Sequence, residues 1–134
     1  MKNKSTLVLI EQIVMLLVFA VAATVCVRMF VTSERMSEKN AATDRAVIEA
    51  QNAAEHLKHG GVTELADKMG ALKDSPEKWI VYYDSEWNVM TTERKDGFSL
   101  TVSYTDATNL WEADISVASA KDGELFRIRT AGQR

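Results

Sequence analysis

The two histidines of the sequence, His56 and His59, come nearest by type and spacing to a metal site. Three residues apart, they lie near one face of a helix end, with Glu55 adjacent and Asp67 later in the chain. Zinc accepts imidazole and carboxylate ligands, but a site requires further ligands at suitable spacing. Histidines at a helix C-terminus also suit the negative end of the helix dipole. We therefore interpret the pair as a solvated helix end and expect no metal or cofactor.

Other signatures of catalysis are missing from the sequence, which contains no nucleophile motif, phosphate-binding loop or paired His/Cys cluster. Of its 19 Asp and Glu residues, those in the C-terminal half fall in turns and on polar strand faces, as solubility alone requires. We therefore expect no catalytic residues and no enzymatic activity. The net charge of -3 indicates no basic surface of the kind that nucleic acid requires. The single cysteine, Cys26, excludes an intrachain disulfide.

The longest apolar stretch, 7–31, is interrupted only by Glu11, Gln12 and Arg28. At about 1.5 Å per residue, such a helix reaches roughly 37 Å and crosses a hydrocarbon core of about 30 Å with some tilt. We interpret the stretch as a transmembrane helix. An acid within it costs free energy on insertion. Glu11 is therefore expected either to face a polar partner or to extend its carboxylate to the lipid headgroups.

A secretory signal peptide is a second interpretation of this segment. Lys2 and Lys4 precede the apolar region, and the small residues at 20–22 offer a cleavage site after Ala22. Cleavage there would release a soluble domain. The polar residues Glu11 and Gln12 inside the apolar region argue against it, so the membrane helix is the first interpretation.

The residues that enter this helix, Lys-Ser-Thr-Leu-Val-Leu-Ile-Glu at 4–11, resemble the amino terminus of type IV pilins and pseudopilins. Proteins of that family carry a short basic leader, an apolar first mature residue and a glutamate at the fifth mature position. The resemblance implies a leader at 1–6, processing between Thr6 and Leu7 by a prepilin peptidase, and an assembly role for Glu11. Thr6 stands where the family has glycine.

The resemblance also implies a cellular setting. The chain would be a single-pass protein of the cell membrane, with the amino terminus in the cytoplasm and the C-terminal domain outside. The partners that it implies are the lipid bilayer, other pilin-like subunits and an assembly platform.

Beyond the membrane segment, the helix is expected to continue through 32–60. This part contains no proline and is rich in good helix formers, and Gly60 and Gly61 form a stop signal. A stripe of small or weakly apolar residues follows the helical period. Its later half, from Val47 to Leu57 and joined by Ile48, is apolar enough to lie on a sheet. The stripe therefore fits the core face of a helix better than a seam for a partner helix.

The remaining segment, 61–134, is predicted to combine a short helix with an antiparallel β-meander. The helix is predicted at 63–72, and a turn at 73–77 follows it. From Trp79 onward the apolar residues recur with a period of two, which is typical of half-buried strands. Strands are predicted at 79–84, 87–94, 98–105, 111–117 and 124–130, separated by short turns that make neighbours antiparallel.

Large aromatic residues surround the first predicted hairpin: Trp79, Tyr82, Tyr83 and Trp87. Strand alternation places Trp79 and Tyr83 on one face and Tyr82 on the other, so at least one ring is expected to be partly exposed. An exposed ring would mark a contact surface, whereas a covering loop or the short helix would bury it.

These patterns predict an α+β fold. In it a long N-terminal helix, with its first half in the membrane, packs through its second half on a four- to five-stranded antiparallel sheet, which is a pilin-like arrangement. The function first expected is that of a pseudopilin-like or minor-pilin-like structural subunit of a type II secretion or type IV pilus-type assembly. The alternative is a single-pass, membrane-anchored extracytoplasmic binding or regulatory domain that does not polymerise.

Overall fold

The computed structural model describes residues 2–133, and for Lys2 the backbone alone. Met1, in the predicted leader, and Arg134, at the end of the predicted meander segment, lie outside the described residues. The first element is helix α1 (Lys2–Met69). No proline occurs before Pro76, so no residue within the helix lacks its backbone donor.

Helix α1 contains one break, at Gly61, where φ is 68° and ψ is -156°. Only glycine adopts this backbone conformation readily, and the stop signal predicted at Gly60 and Gly61 acts at the second glycine. The helical residues after the break end at Met69 rather than at Leu72 as predicted. Gly70 follows with φ of 70°, and its N–H donates to the Ala66 carbonyl at 3.1 Å, which is a helix-terminating arrangement.

The chain divides into two compact units, of which the first ends at Asn40. In this unit every side chain that the structure describes is exposed, including large apolar ones such as Leu16, Phe19 and Phe30. No residue of its most apolar stretch is buried within the chain, and the helix is long and apolar enough to span a membrane.

The second unit, which begins at Ala41, contains the rest of α1 and one antiparallel sheet of six strands. The sheet order is β1-β2-β4-β5-β6, and β3 pairs with the same strand, β2, that β1 flanks. The strands are β1 (Leu72–Ser75), β2 (Lys78–Tyr83), β3 (Val89–Met90), β4 (Phe98–Asp106), β5 (Leu110–Ser119) and β6 (Gly123–Gln133).

Two details of the predicted meander are wrong. The residues at 73–75, predicted as a turn, belong to β1, and the turn is confined to Pro76 and Glu77. The strand predicted at 87–94 is reduced to β3, because Trp87 has a positive φ of 66° and its N–H donates to the Asp84 carbonyl at 3.1 Å. The chain therefore turns tightly at 84–88 and regains an extended conformation only at Val89.

Helix α1 covers one face of the sheet, as predicted, and the arrangement is α+β and pilin-like. The helix contributes small side chains at helical spacing, and the strands contribute large ones that fill the space beneath them. The buried core comprises Ala46, Ala50, Ala53, Ala54 and Leu57 from the helix, with Val81, Tyr83, Leu100, Val102, Ile115 and Val117 among the strand residues.

The face of α1 that meets the sheet agrees with the predicted stripe at Ala50, Ala54 and Leu57, and it also includes Ala46 and Ala53. Ala46, Ala50 and Ala53 are fully buried, whereas Val47 is only half-buried. Ile48, which was expected to join the core, is 48% exposed because it lies on the opposite side of the helix.

Candidate functional site

The three residues singled out by the sequence, Thr6, Leu7 and Glu11, all lie in the first unit of α1 and are exposed. Leu7 and Glu11 are four residues apart on a helix, so their side chains share one face at a separation of one turn. Among the side chains described at 3–133, none forms a salt bridge with Glu11. This carboxylate is therefore presented outward from an apolar helix.

Two threonine hydroxyls, one within the apolar segment and one directly after it, are satisfied by the helix backbone. The Thr24 hydroxyl donates to the Ala20 carbonyl at 2.8 Å, and the Thr32 hydroxyl donates to the Arg28 carbonyl at 2.8 Å. Threonine hydroxyls that bond back to the preceding turn lose their need for water. Glu11 thus differs from the threonines, because a carboxylate cannot donate to a helix carbonyl.

A buried acid, Glu49, lies between the helix and the sheet, and the sequence interpretation missed it. It is 8% exposed and accepts from Arg45 Nη2 at 3.0 Å through Oε1. Tyr83 Oη donates to Glu49 Oε2 at 3.2 Å. The helical spacing of the sequence could have indicated this burial, because Glu49 falls between Ala46 and Ala50 on the buried face of α1.

Burial raises the pKa of Tyr83 well above its ordinary value of 10.0, and the Glu49 carboxylate raises it further, while Arg45 opposes this. A raised pKa in the folded state favours the protonated phenol. The contribution of Tyr83 to the stability of the folded state is therefore fully present below about pH 10 and is lost as the pH rises further. At neutral pH the phenol is thus protonated and donates to the Glu49 carboxylate, a hydrogen bond that joins β2 to helix α1.

Replacing Tyr83 with Phe is expected to lower the free energy of unfolding by about 1–3 kcal/mol at pH 7, because a buried carboxylate loses a donor. Above pH 10 the difference between the wild type and Tyr83→Phe should shrink, since only the wild type must ionise this phenol on unfolding. Urea unfolding of the fragment 35–134 at pH 7 and at pH 10.5 measures both effects. Tyr82→Phe, on the other face of β2, serves as the control. Equal pH dependence for wild type and Tyr83→Phe would contradict the assignment.

The histidine pair is not brought together into a ligand set. His56 Nδ1 lies 3.3 Å from Glu64 Oε1 across the break at Gly61, and His59 is exposed. The acid beside His56 is thus Glu64, and not Glu55 or Asp67, the two acids that the sequence placed near the histidine pair. Within residues 2–133, no group of three His, Cys, Asp or Glu residues is placed to hold a metal ion.

Tyr83 and Trp87 of the first hairpin form a cluster with Phe98 at the turn between β2 and β3, while Trp79 and Tyr82 are half-buried elsewhere on β2. The Trp87 ring stacks on Phe98 with centroids 4.0 Å apart and contacts Tyr83 at 5.4 Å. The turn is held by Asp84, whose carboxylate accepts the N–H groups of Glu86 and Asn88 at 2.9 and 2.8 Å. The hydrogen bonds from Asn88 lower the pKa of Asp84. Trp87 is half-buried, so the cluster stabilises the turn rather than presenting a free ring.

The sheet face opposite the helix carries a group of charged residues on β5 and β6. Arg127 Nε lies 3.4 Å from Asp114 Oδ1 and 3.1 Å from Glu124 Oε1. Arg129 Nε lies 3.7 Å from Asp114 Oδ2, and its side chain is 85% exposed. The group borders a shallow depression that Ser103, Thr105 and Glu112 also line.

These features define two separate candidates: the outward carboxylate of Glu11 on the apolar helix, and the charged outer part of the sheet. Comparison of the chain with protein-family models, curated proteins and solved structures gave no match.

Proposed function

We propose that this chain is a pilin-like structural subunit, pseudopilin-like or minor-pilin-like, of a type II secretion or type IV pilus-type membrane assembly. The observation that carries the proposal is a single helix, α1, whose first unit exposes the long apolar stretch 7–31 and whose later residues cover an antiparallel sheet. An exposed apolar helix of this length needs lipid or other apolar helices around it.

The position of Glu11 supports a role in assembly. An ionised carboxylate within hydrocarbon costs about 2.5–3.5 kcal/mol at mid-membrane, and less near the surface. A cation from another chain would offset that cost. If processing makes Leu7 the first residue, its amino group lies one turn from Glu11, and the same group of a neighbouring subunit would be a suitable partner.

The proposed setting follows from this role. The amino terminus lies in the cytoplasm, the helix spans the cell membrane, and the sheet domain lies outside. The partners are the lipid bilayer, other pilin-like subunits, an assembly platform and, for processing, a prepilin peptidase.

Thr6 favours the alternative candidate. Because it stands in place of the glycine that the family has before the cleavage site, an unprocessed chain would keep Lys4 near Glu11 and leave no free amino group at Leu7. Such a chain would be a membrane-anchored extracytoplasmic binding or regulatory domain that does not polymerise.

Measuring at which residue the mature chain begins separates these two functions. We expect intact-mass measurement on protein extracted from membranes to give a chain that begins at Leu7. A membrane-bound chain that keeps residues 1–6 would support the anchored domain instead. A chain found in the medium and beginning at Ala23 would contradict both, since a signal peptide would then have been removed.

A further inference from the structure

The strands at the two edges of the sheet differ in length and regularity. One is made of β1, with four residues and a register shift between Lys73 and Ser75, and of β3, with two residues. The other is β6, with 11 residues, whose pairing with β5 shifts register once, between Val117 and Ala118, and is regular from Phe126 to Gln133. Within residues 2–133, β6 pairs with β5 alone. A long, regular outer strand presents a row of backbone donors and acceptors to an added strand, and short or bulged strands do not.

The core is incompletely covered along β6. On its core face, Phe126 and Ile128 pair with Val117 and Ile115, which are fully buried on the neighbouring strand β5. Phe126 and Ile128 themselves are only half-buried. One side of each therefore lacks an apolar neighbour, which a further strand beside β6 would supply through every second side chain.

The opposite face of β6 carries two cations at the same alternation. Arg127 and Arg129 are 59% and 85% exposed, and each reaches Asp114 on β5. Asp114 is shared by both arginines, Arg127 also contacts Glu124, and both arginine side chains remain more than half exposed. Side chains directly opposite each other on paired strands interact most strongly when their charges are opposite.

We infer that the outer edge of β6 is a docking site for an extended segment of another protein that alternates apolar and acidic residues. The segment adds to the sheet as a strand, its acids meet Arg127 and Arg129, and its apolar residues complete the row of Phe126 and Ile128. This inference does not depend on the proposed function of the membrane helix.

A second copy of this chain would place arginines opposite each other in three registers of β6 pairing. In a two-fold antiparallel pairing of two β6 strands centred on Ile128, Arg127 of each copy faces Arg129 of the other. Centring the pair on either arginine places that arginine opposite itself. Like charges directly opposite each other are destabilising, so these three registers are disfavoured for a second copy, whereas a strand with acids at the same positions is favoured in each of them.

A peptide with the sequence of residues 111–117, Trp-Glu-Ala-Asp-Ile-Ser-Val, has the required alternation and serves as the probe. We expect it, labelled with fluorescein, to bind the detergent-solubilised full chain saturably. Arg129→Glu should weaken binding about tenfold, since the change replaces an attraction by a repulsion. Lys58→Glu, an equal change of charge at an exposed helix position, should leave binding unchanged.

Two further measurements decide the binding mode. A peptide with Lys in place of both acids should bind Arg129→Glu more tightly than the wild type. On binding of the acidic peptide, amide exchange should slow along β6 and stay unchanged along β5. The inference is overturned by no saturable binding, by equal loss in Arg129→Glu and Lys58→Glu, by faster exchange in β5, which would mean displacement of that strand, or by dimerisation of the chain through β6.

Discussion

A fragment that begins at Gly61 is expected to aggregate, whereas a fragment that begins at Arg35 should fold as a soluble, monomeric α+β domain. The shorter fragment lacks the helical residues that cover Val81, Leu100 and Ile115, all fully buried in the chain. Burial of one such side chain stabilises a domain by about 1.5–3 kcal/mol, and net domain stability is only about 5–15 kcal/mol. Exposing several of them therefore exceeds the stability of the fold. Size-exclusion chromatography and cooperative urea unfolding distinguish the two results.

A matched pair of substitutions in the longer fragment tests the same packing without a truncation. Ala50→Asp places a charge on the fully buried face of α1 and should abolish cooperative unfolding, because a buried, unpaired carboxylate is costly. Ile48→Asp, two residues away on the exposed side, should change the free energy of unfolding by less than about 1 kcal/mol. Equal tolerance of both substitutions, or a well-folded monomer from the fragment that begins at Gly61, would contradict the packing of α1 on the sheet.

Replacing Glu11 with Leu is expected to keep the chain in the membrane and to remove its contacts with neighbouring subunits. The change removes an acid from the apolar segment, which lowers the insertion free energy by up to about 3 kcal/mol for a central position and by less near the surface. Loss of the carboxylate also removes the partner proposed for a neighbouring amino group. Glu11→Leu should therefore strengthen membrane insertion, measured by carbonate extraction, and weaken assembly, measured by cross-linking at matched membrane levels.

Gln12→Leu is the control for Glu11→Leu. It makes the same segment more apolar at the adjacent residue, which lies about 100° away around the helix. We expect it to leave cross-linking at the wild-type level. If both variants cross-link as the wild type does, Glu11 has no role in assembly, and the membrane-anchored domain becomes the better account.

The division into a helix and a sheet could be predicted because each half of the chain has a clear period. The alternation around Leu100 and Ile115 indicated β4 and β5, and the two glycines at 60 and 61 marked the break in α1. The polar edge strand β1 was missed because its four residues are all exposed and carry no burial pattern. The overlong prediction at 87–94 failed because the positive φ of Trp87 is set by the Asp84 turn and not by residue preference.

The core face of α1 was predicted correctly at Ala50, Ala54 and Leu57, whereas Val47 is only half-buried and Ile48 is exposed. Val47 and Ile48 outweigh alanine on any hydrophobic scale, yet the sheet already supplies large side chains such as Tyr83 and Leu100, so the helix needs small ones opposite them. The same preference for large apolar residues hid Glu49, whose burial depends on Arg45 and on a tyrosine 34 residues away. The roles of Thr6, Leu7 and Glu11 were assigned from the sequence pattern alone. Their proposed partners are other molecules, so these roles stay predictions.

Photo-cross-linking from Cys26 in native membranes tests the central proposal most directly. This cysteine is exposed on the apolar segment, and it is the single cysteine of the chain, so a benzophenone maleimide labels one site. A filament subunit should give adducts with other pilin-like subunits, identified by mass spectrometry, and Glu11→Leu should lose them while Gln12→Leu keeps them. Adducts with lipid alone, unchanged by Glu11→Leu, would contradict assembly through this helix.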